Sequence, residues 1–269
     1  MSVQVRNPHS VLAALKARPQ DVLSITLTPA LAESDSPWGS VAKLARERGI
    51  RVDIRSSGGF SRDSRNDRPD RNDRGGRGGP AAKAQAKTEE GGRMGNAEAT
   101  IKDQTGVALE ELFRGAKERA EGKGLWLALD CLQDPHNVGA IFRTAAFFGV
   151  QGILLTQERS APLTGTVYDI ASGGMESVPF STQVNLRQAF DAAKEAGLWI
   201  LGTSEHAKED LSKIAADRPW LAVLGNEEKG MRRLTEESCD VLCGINPKTK
   251  GVTSLNVSVA AGIIISRLG

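Results

Sequence analysis

From residue 125 onward, short apolar runs alternate with stretches of helical period. LWLALD (125–130), GILLT (152–156), LWILGT (198–203), WLAVLG (220–225) and VLCGI (241–245) read as strands. Between them, 138–149, the segment around 164–171, 185–197, a short stretch at 231–238 and the closing 255–267 read as helices, with Gly197 as a helix stop. Strands apolar at every position are buried on both faces. Their alternation with helices predicts a mainly parallel sheet covered on both sides. Ahead of this lies a smaller α/β unit. Asn7-Pro8 and Ser36-Pro37 are helix starts, a capping side chain followed by proline, and the second helix stops at Gly49. VLSITL (22–27), IRVDI (50–54) and AEATIKD (97–103) read as strands, and ALEELFRGAKERA (108–120) as an amphipathic helix or a linker.

Composition adds exclusions. The chain has 269 residues, 39% hydrophobic and 25% charged, room for one large domain or two small ones. No apolar run approaches the roughly 20 residues of a membrane helix, and MSVQVRNPHS holds no signal-peptide core, so a cytoplasmic protein is expected. Cys131, Cys239 and Cys243 form no CxxC pair and, with three scattered histidines, no zinc pattern; free thiols and no metal are expected.

Charge matters once it is located. Arginine recurs at every third position from 62 to 77, reading RDS-RND-RPD-RND-RGG-RGG. Six arginines against four aspartates there carry the whole net charge of +2, so the rest of the chain has no global basic field. With Phe60 as its single large apolar residue, the segment 56–79 cannot bury a core, and disorder is expected from about 56 to 95. Two readings compete for the repeat: a solvated insertion, or an RNA-contacting arm whose guanidinium groups pair with phosphates and stack on bases.

Ligands of open parallel sheets bind at the carboxyl ends of the strands. There the sequence places DCLQDPHNVG (130–139), TSE (203–205), GNEEKG (225–230) and NPKTKG (246–251). No GxGxxG follows a strand, GNEEKG lacks the order of a phosphate loop, and no GxSxG is present, which argues against dehydrogenase, ATPase and hydrolase chemistry. The last helix begins oddly: TSLNVSVAAGIII (253–265) sets Ser254, Asn256 and Ser258 at the head of an apolar element, where capping needs one side chain.

DCLQDPHNVGAIFRTAAFFGV (130–150), VLGNEEKGM (223–231) and TSLNVSVAAGIII (253–265), in this order, resemble the three signature motifs of the SpoU/TrmH family of RNA 2′-O-ribose methyltransferases, in the SPOUT superfamily. RSAPLTGTVYDIASGGMESVP (159–179) resembles the family's segment between the first two. The resemblance covers about 125–268. It implies an α/β catalytic domain at 125–269, its C-terminal segment tucked into a trefoil knot. Residues 107–124 would be a linker helix. Residues 1–106 resemble, more weakly, a ribosomal-protein-like RNA-binding domain, from which the insertion is a departure. The resemblance further implies a homodimer and an S-adenosylmethionine site formed by Thr203, Leu224, Gly225, Asn226, Gly230, Ile245, Pro247, Ser254 and Leu255. The link INPKTKGVTSLN, with Asn246, Lys248 and Lys250, departs from the family's shorter one; the two lysines add phosphate contacts or the link is only looser.

Carried over residue by residue, Asn137 and Arg143 match motif one, Glu227 motif two, and Ser254 and Asn256 motif three, all as catalytic positions. Methyl transfer from a sulfonium is an in-line displacement needing no metal; the enzyme aligns the ribose hydroxyl and helps its proton leave. Arg143 acts as base or as stabiliser of the alkoxide. Guanidinium groups hold their proton strongly, which favours the second. Flanked by Ile141, Phe142, Ala145 and Phe147, it is expected on a largely buried helix with a partner. His136 reads as structural. Asn256-Val257-Ser258 fits a glycosylation acceptor, a reading that its apolar surroundings oppose. The expected activity is S-adenosylmethionine-dependent methylation of structured RNA, ribosomal favoured over transfer RNA. The alternatives are a non-catalytic RNA-binding protein of the same fold and another nucleotide-binding α/β enzyme.

Overall fold

The structure, a computed structural model, describes residues 1–55, 97–119, 123–249, 251 and 254–269. The arginine repeat, its expected disorder and Lys250 lie outside these residues.

The N-terminal elements are β1 (Ser2–Val5), α1 (Pro8–Ala17), β2 (Val22–Leu27), α2 (Pro29–Ala32), α3 (Pro37–Glu47), β3 (Val52–Ile54) and β4 (Ala97–Lys102). Of these three Pro-led helices, α1 and α3 start as the sequence predicts. Asn7 accepts from the His9 N–H at 2.9 Å and Ser36 from the Gly39 N–H at 3.3 Å. The sheet runs β1-β4-β2-β3, with β4 antiparallel to both neighbours and β2 parallel to β3. Alternation in β4 buries Ala97, Ala99 and Ile101, which share one core with Val11 and Leu15 of α1 and Val41 and Ala45 of α3.

Two short helices follow, α4 (Leu109–Phe113) and α5 (Ala116–Arg119), divided where Gly115 takes φ 57°. The expected single helix over 108–120 is thus broken. Then come β5 (Leu125–Leu129), α6 (Pro135–Phe148), β6 (Gly152–Thr156), α7 (Gly165–Ala171), α8 (Gly174–Ser177), β7 (Phe180–Gln183) and α9 (Leu186–Glu195). The chain closes with β8 (Trp199–Thr203), β9 (Glu209–Asp210), β10 (Trp220–Leu224), α10 (Arg233–Glu237), β11 (Val241–Gly244) and α11 (Val257–Leu268). The second sheet runs β7-β6-β5-β10-β8-β11-β9, every neighbouring pair parallel. Both faces are covered, as the apolar strands require. Leu125, Leu127 and Leu129 point into one core with α6 and α11; Trp126 and Ala128 point into another with α4 and α9. The trefoil knot stays an expectation, because its closing segment includes Lys250, Val252 and Thr253, outside the described residues. Among the described residues no helix is long and apolar enough to cross a membrane.

The two sheets are joined without slack. Arg18 grips Glu176 through Nε and Nη2, both at 2.8 Å, and Gln104 Nε2 donates to the same carboxylate at 2.6 Å. The Asp169 carboxylate accepts the Arg6 and Asn7 N–H groups at 2.7 Å each, and Ser10 Oγ donates to the Tyr168 carbonyl at 2.6 Å. Burial raises the Asp169 carboxyl above its ordinary range, and those two N–H groups oppose the shift. Val5 and Val11 belong to the same apolar cluster as Val167 and Met175, so the N-terminal unit packs on the larger unit of its own chain.

With Arg18 12% and Glu176 4% exposed, this pair is too dry to lose one partner cheaply. Arg18→Met is expected to cost about 3 kcal/mol, since it strands a buried carboxylate, and Arg18→Met with Glu176→Leu to recover most of that loss. Urea unfolding measures both; a single-variant loss below about 1 kcal/mol, the range of exposed pairs, would refute the buried-pair account.

Candidate active site

Strands β6 and β7 lie on one side of β5, and β10, β8 and β11 on the other. The order of winding therefore reverses between β5 and β10, which opens a crevice at their carboxyl ends. The segments leaving these two strands, 130–137 and 225–232, face each other there.

Asp134, not the loop expected from sequence, opens α6. It caps the helix by accepting the His136 N–H at 2.8 Å, with Pro135 at the first helical position. The helix therefore begins three residues earlier than its apolar period suggests. His136 lies in its first turn with an exposed side chain, rather than in a loop. Asn137 is 6% exposed, so its amide needs partners on both ends. It has them: Nδ2 donates to Glu227 Oε1 at 3.2 Å, and Oδ1 accepts from Asn256 Nδ2 at 3.0 Å. Asn256 in turn caps α11, its Oδ1 accepting the Ser258 N–H at 2.9 Å and the Ser258 hydroxyl at 2.6 Å. The three polar residues at the head of that helix are thereby separated. Asn256 caps and reaches Asn137, Ser258 bonds back to the cap, and Ser254 lines the adjoining cavity.

The loop that presents Glu227 is a closed turn. Asn226 and Gly230 exchange N–H···O bonds of 2.9 Å each, and Gly230 takes φ 67°. A Cβ on Gly225 would lie 2.2 Å from the Met231 nitrogen. Asn226 Nδ2 donates to the Cys131 carbonyl at 2.9 Å and to Glu227 Oε2 at 3.2 Å, while its Oδ1 accepts the Glu228 and Lys229 N–H groups. At the far end of the loop, Arg232 N donates to Asp130 Oδ2 at 3.1 Å. Its Nε lies 2.8 Å from Oδ1, an ion-pair distance without hydrogen-bond alignment. Asp130 is fully buried, so this contact anchors the loop to β5.

Beside the cluster lies a cavity of about 400 Å³ at the carboxyl ends of β8, β10 and β11. Of the nine residues expected to hold the cofactor, Thr203, Leu224, Gly225, Asn226, Gly230, Ile245, Ser254 and Leu255 line it. Pro247 does not: it is exposed beyond β11. Glu205, His206, Met231, Glu236 and Cys243 also line it, and sequence reasoning does not single them out. The segment after β8 reads as a ligand-facing loop, so Glu205 and His206 are within reach of that argument. Glu236 arrives from α10, which gives no local signal.

Arg143 stands apart from the other catalytic candidates. It lies almost two turns into α6, is exposed, and has no hydrogen bond or ion pair among the described residues. Of the neighbours that led to the expected buried helix, Ile141, Phe142 and Ala145 are buried, but Phe147, one turn beyond Arg143 on its own face, is 84% exposed, and the expected partner is absent among the described residues. The cysteines carry no nucleophile. Burial, with a smaller push from Asp210, raises the Cys243 thiol to about 11, and burial raises Cys239 to about 12.

A two-unit α/β fold, polar side chains interlocked at its switch point and a cavity beside them define a ligand-binding site of the open parallel-sheet class. The chain belongs to the SpoU rRNA Methylase family, which matches residues 124–266. It is 44% identical over 159 residues to 23S rRNA (guanosine-2′-O-)-methyltransferase RlmB of Nitrosomonas europaea, covering 59% of each chain. Against the RlmB of Pseudomonas aeruginosa it is 43% identical over 157 residues, 58% of this chain and 61% of the relative. The match thus spans about three fifths of the length of these curated relatives. The fold is similar to that of the SpoU methyltransferase AviRb from Streptomyces viridochromogenes, solved in complex with AdoMet. There the TM-score is 0.68 and the identity 18%, over 99% of this chain and 89% of that one.

A thiol of pKa about 9 is about a tenth ionised at pH 8, and one at about 11 about a thousandth. Alkylation of Cys243 by iodoacetamide at pH 8 is therefore expected to run about 100-fold slower in the native protein than in urea, as peptide mass spectrometry would measure. Equal rates would mean that the cavity wall is open to solvent.

Proposed function

We propose that this chain transfers a methyl group from S-adenosylmethionine to a ribose 2′-hydroxyl of structured RNA, ribosomal RNA before transfer RNA. The observation that carries this reading is the interlocked Asn256–Asn137–Glu227–Asn226 cluster at the mouth of the cavity. It is supported by the activity named for the relatives and by the AdoMet bound in the Streptomyces enzyme. The cavity suits the cofactor. Leu224, Ile245 and Leu255 offer apolar wall to an adenine, and Glu205, Glu228 and Glu236 offer negative charge to a sulfonium and an amino group. When bound, the cofactor supplies an activated methyl group.

The chain's own residues supply the rest. Asn137 and Asn226 aim the Glu227 carboxylate, which accepts a hydrogen bond from the incoming hydroxyl and orients its oxygen. Ser254 and Leu255 close the cavity beside that point. Arg143 shares an exposed α6 face with Phe147, next to α11, whose Val259 (51%) and Ile263 (39%) are exposed too. A second copy of the chain covers this face, making the homodimer. Arg143 serves a site across that interface as an electrostatic stabiliser of the developing alkoxide and not as a base, the hydroxyl proton passing to solvent water as the methyl–oxygen bond forms and the methyl–sulfur bond breaks. The N-terminal unit binds RNA. Lys43, Arg46, Arg48, Arg51 and Arg55 are exposed along α3 and β3 and lead directly into the arginine repeat. Work on cytoplasmic ribosomal RNA, with the C-terminal segment threaded as the family's knot, completes the reading. The intact cluster argues against a non-catalytic RNA binder.

Labelled S-adenosylmethionine, unmodified ribosomal and transfer RNA pools and an Arg143→Ala control test the activity. Label in ribosomal RNA, absent with the variant, is expected; cofactor binding with no label in either pool would overturn it. Asn256 separates orientation from capping. Asn256→Asp keeps the helix cap but replaces the donor that holds Asn137, which then turns its oxygen toward Glu227. Its kcat/KM is expected to fall about 100-fold, with the cap kept and a stability loss of about 1–2 kcal/mol from the turned Asn137 amide. Asn256→Ala is expected to lose the activity and about 2–3 kcal/mol, the cap and the Asn137 pairing together. Full activity in Asn256→Asp would remove the cluster from the mechanism.

A further inference from the structure

A second cavity, of about 200 Å³, lies at the carboxyl ends of β5, β6 and β7, on the other side of the 131–138 segment from the first. Its floor is buried and mostly apolar, with Leu129, Leu132, Val138 and Leu155. Its rim is exposed and polar, with Gln157 and Thr182. The same short segment therefore builds a wall of both cavities. Leu132 and Val138 face the second, while the Gln133 and Asp134 N–H groups and the Asn137 amide point at Glu227, on the edge of the first.

The second cavity is held open by fixed contacts. Cys131 N donates to Thr156 Oγ1 at 2.8 Å, Ala161 N to the Leu132 carbonyl at 2.7 Å, and the Gln157 N–H to the Gln183 carbonyl at 2.9 Å. Arg159, in the turn between Gln157 and Ser160, takes φ 57°, a conformation that costs a non-glycine residue of order 1 kcal/mol. On the rim, the Gln157 side-chain amide has no hydrogen bond among the described residues. A small cavity with apolar walls and a free amide at its edge is an arrangement that takes up an unstacked base.

Spacing gives the occupant. β6 and β8, near the centres of the two cavities, are three strand positions apart, about 14 Å. The reacting ribose must sit between them, at Glu227. We infer that the second cavity receives the nucleobase of the nucleotide whose ribose is methylated, with the Gln157 amide pairing to the adjacent acceptor and donor of a guanine edge. This rests on the activity proposed above and extends it to the base.

The test uses the full chain with S-adenosylhomocysteine filling the first cavity, and GMP as the probe. Saturation-transfer NMR is expected to show transfer to the guanine ring proton in the parent chain. In Thr182→Trp, whose exposed side chain would cap the slot, that transfer is expected to vanish. Gln157→Ala, at an exposed and unbonded side chain, serves as the second variant should Thr182→Trp not fold. It is expected to lower kcat/KM for ribosomal RNA about tenfold with unchanged cofactor affinity. No transfer to GMP in the parent chain, or equal transfer in parent and Thr182→Trp, overturns the inference. So does a Gln157→Ala variant that methylates as the parent does. If GMP binds the parent chain but not Thr182→Trp, and the parent methylates no RNA, the base slot stands and the activity is removed instead.

Discussion

The site depends on one buried amide. Asn137 is almost wholly removed from solvent, and an unpaired amide there would cost a few kcal/mol. Its oxygen is taken by Asn256 at the start of α11 and its nitrogen by Glu227 after β10. The requirement that both ends be satisfied joins three segments far apart in sequence. It also fixes which way each amide faces. Asn256 has its oxygen committed to the helix cap and can only donate; Asn137 must then accept on that side and donate on the other. The carboxylate at the end of the chain receives its orientation from a helix cap.

The sheet puts this chain of bonds where it can act. Between β5 and β10 the winding reverses, so the two following segments diverge and leave a crevice. Asp130, at the end of β5, reaches across to Arg232 and ties down the return of the 225–231 turn. That tie adds to the Asn226–Gly230 bridge within the turn and to the Asn226 bond to the Cys131 carbonyl, so the loop that carries Glu227 is held at both ends.

Much of this is legible in the sequence, for reasons that differ by element. Strands β5, β6 and β10 are buried at every position, so continuous apolar runs reveal them. β7, reading FSTQ at the sheet edge, and β9, two acidic residues, have no such run and escape the pattern. The apolar period misplaces the start of α6, although Asp134-Pro135 is the same signal that locates α1 and α3; the polar DPHN stretch resembles a loop because its helical turn faces the site. Glu227 and Asn256 are legible through family motifs. That they meet at Asn137 is not, because contacts across 90 and 119 residues leave no periodicity to read. Arg143 shows the opposite limit. Its motif position is plain, but neighbours in sequence misjudge its surroundings, since a helix face is set by residues three and four apart.

The N-terminal unit is more than an appendage to this site, because the elements that hold it also hold α6. Arg18 grips Glu176 on α8, and Asp169 on α7 accepts the backbone of residues 6 and 7. α8 lies so close to α6 that a Cβ on Gly174 would come within 2.5 Å of the Phe142 carbonyl oxygen. α6 carries Asn137 in its first turn. A load on the N-terminal surface therefore passes through α7 and α8 to the helix that orients the carboxylate, with close packing at each step and no loop to absorb it. On the proposed activity, RNA resting on the exposed Lys43, Arg46, Arg48, Arg51 and Arg55 would stand at a fixed distance from Glu227. A rigid spacing of this kind would select targets by shape before any base is read.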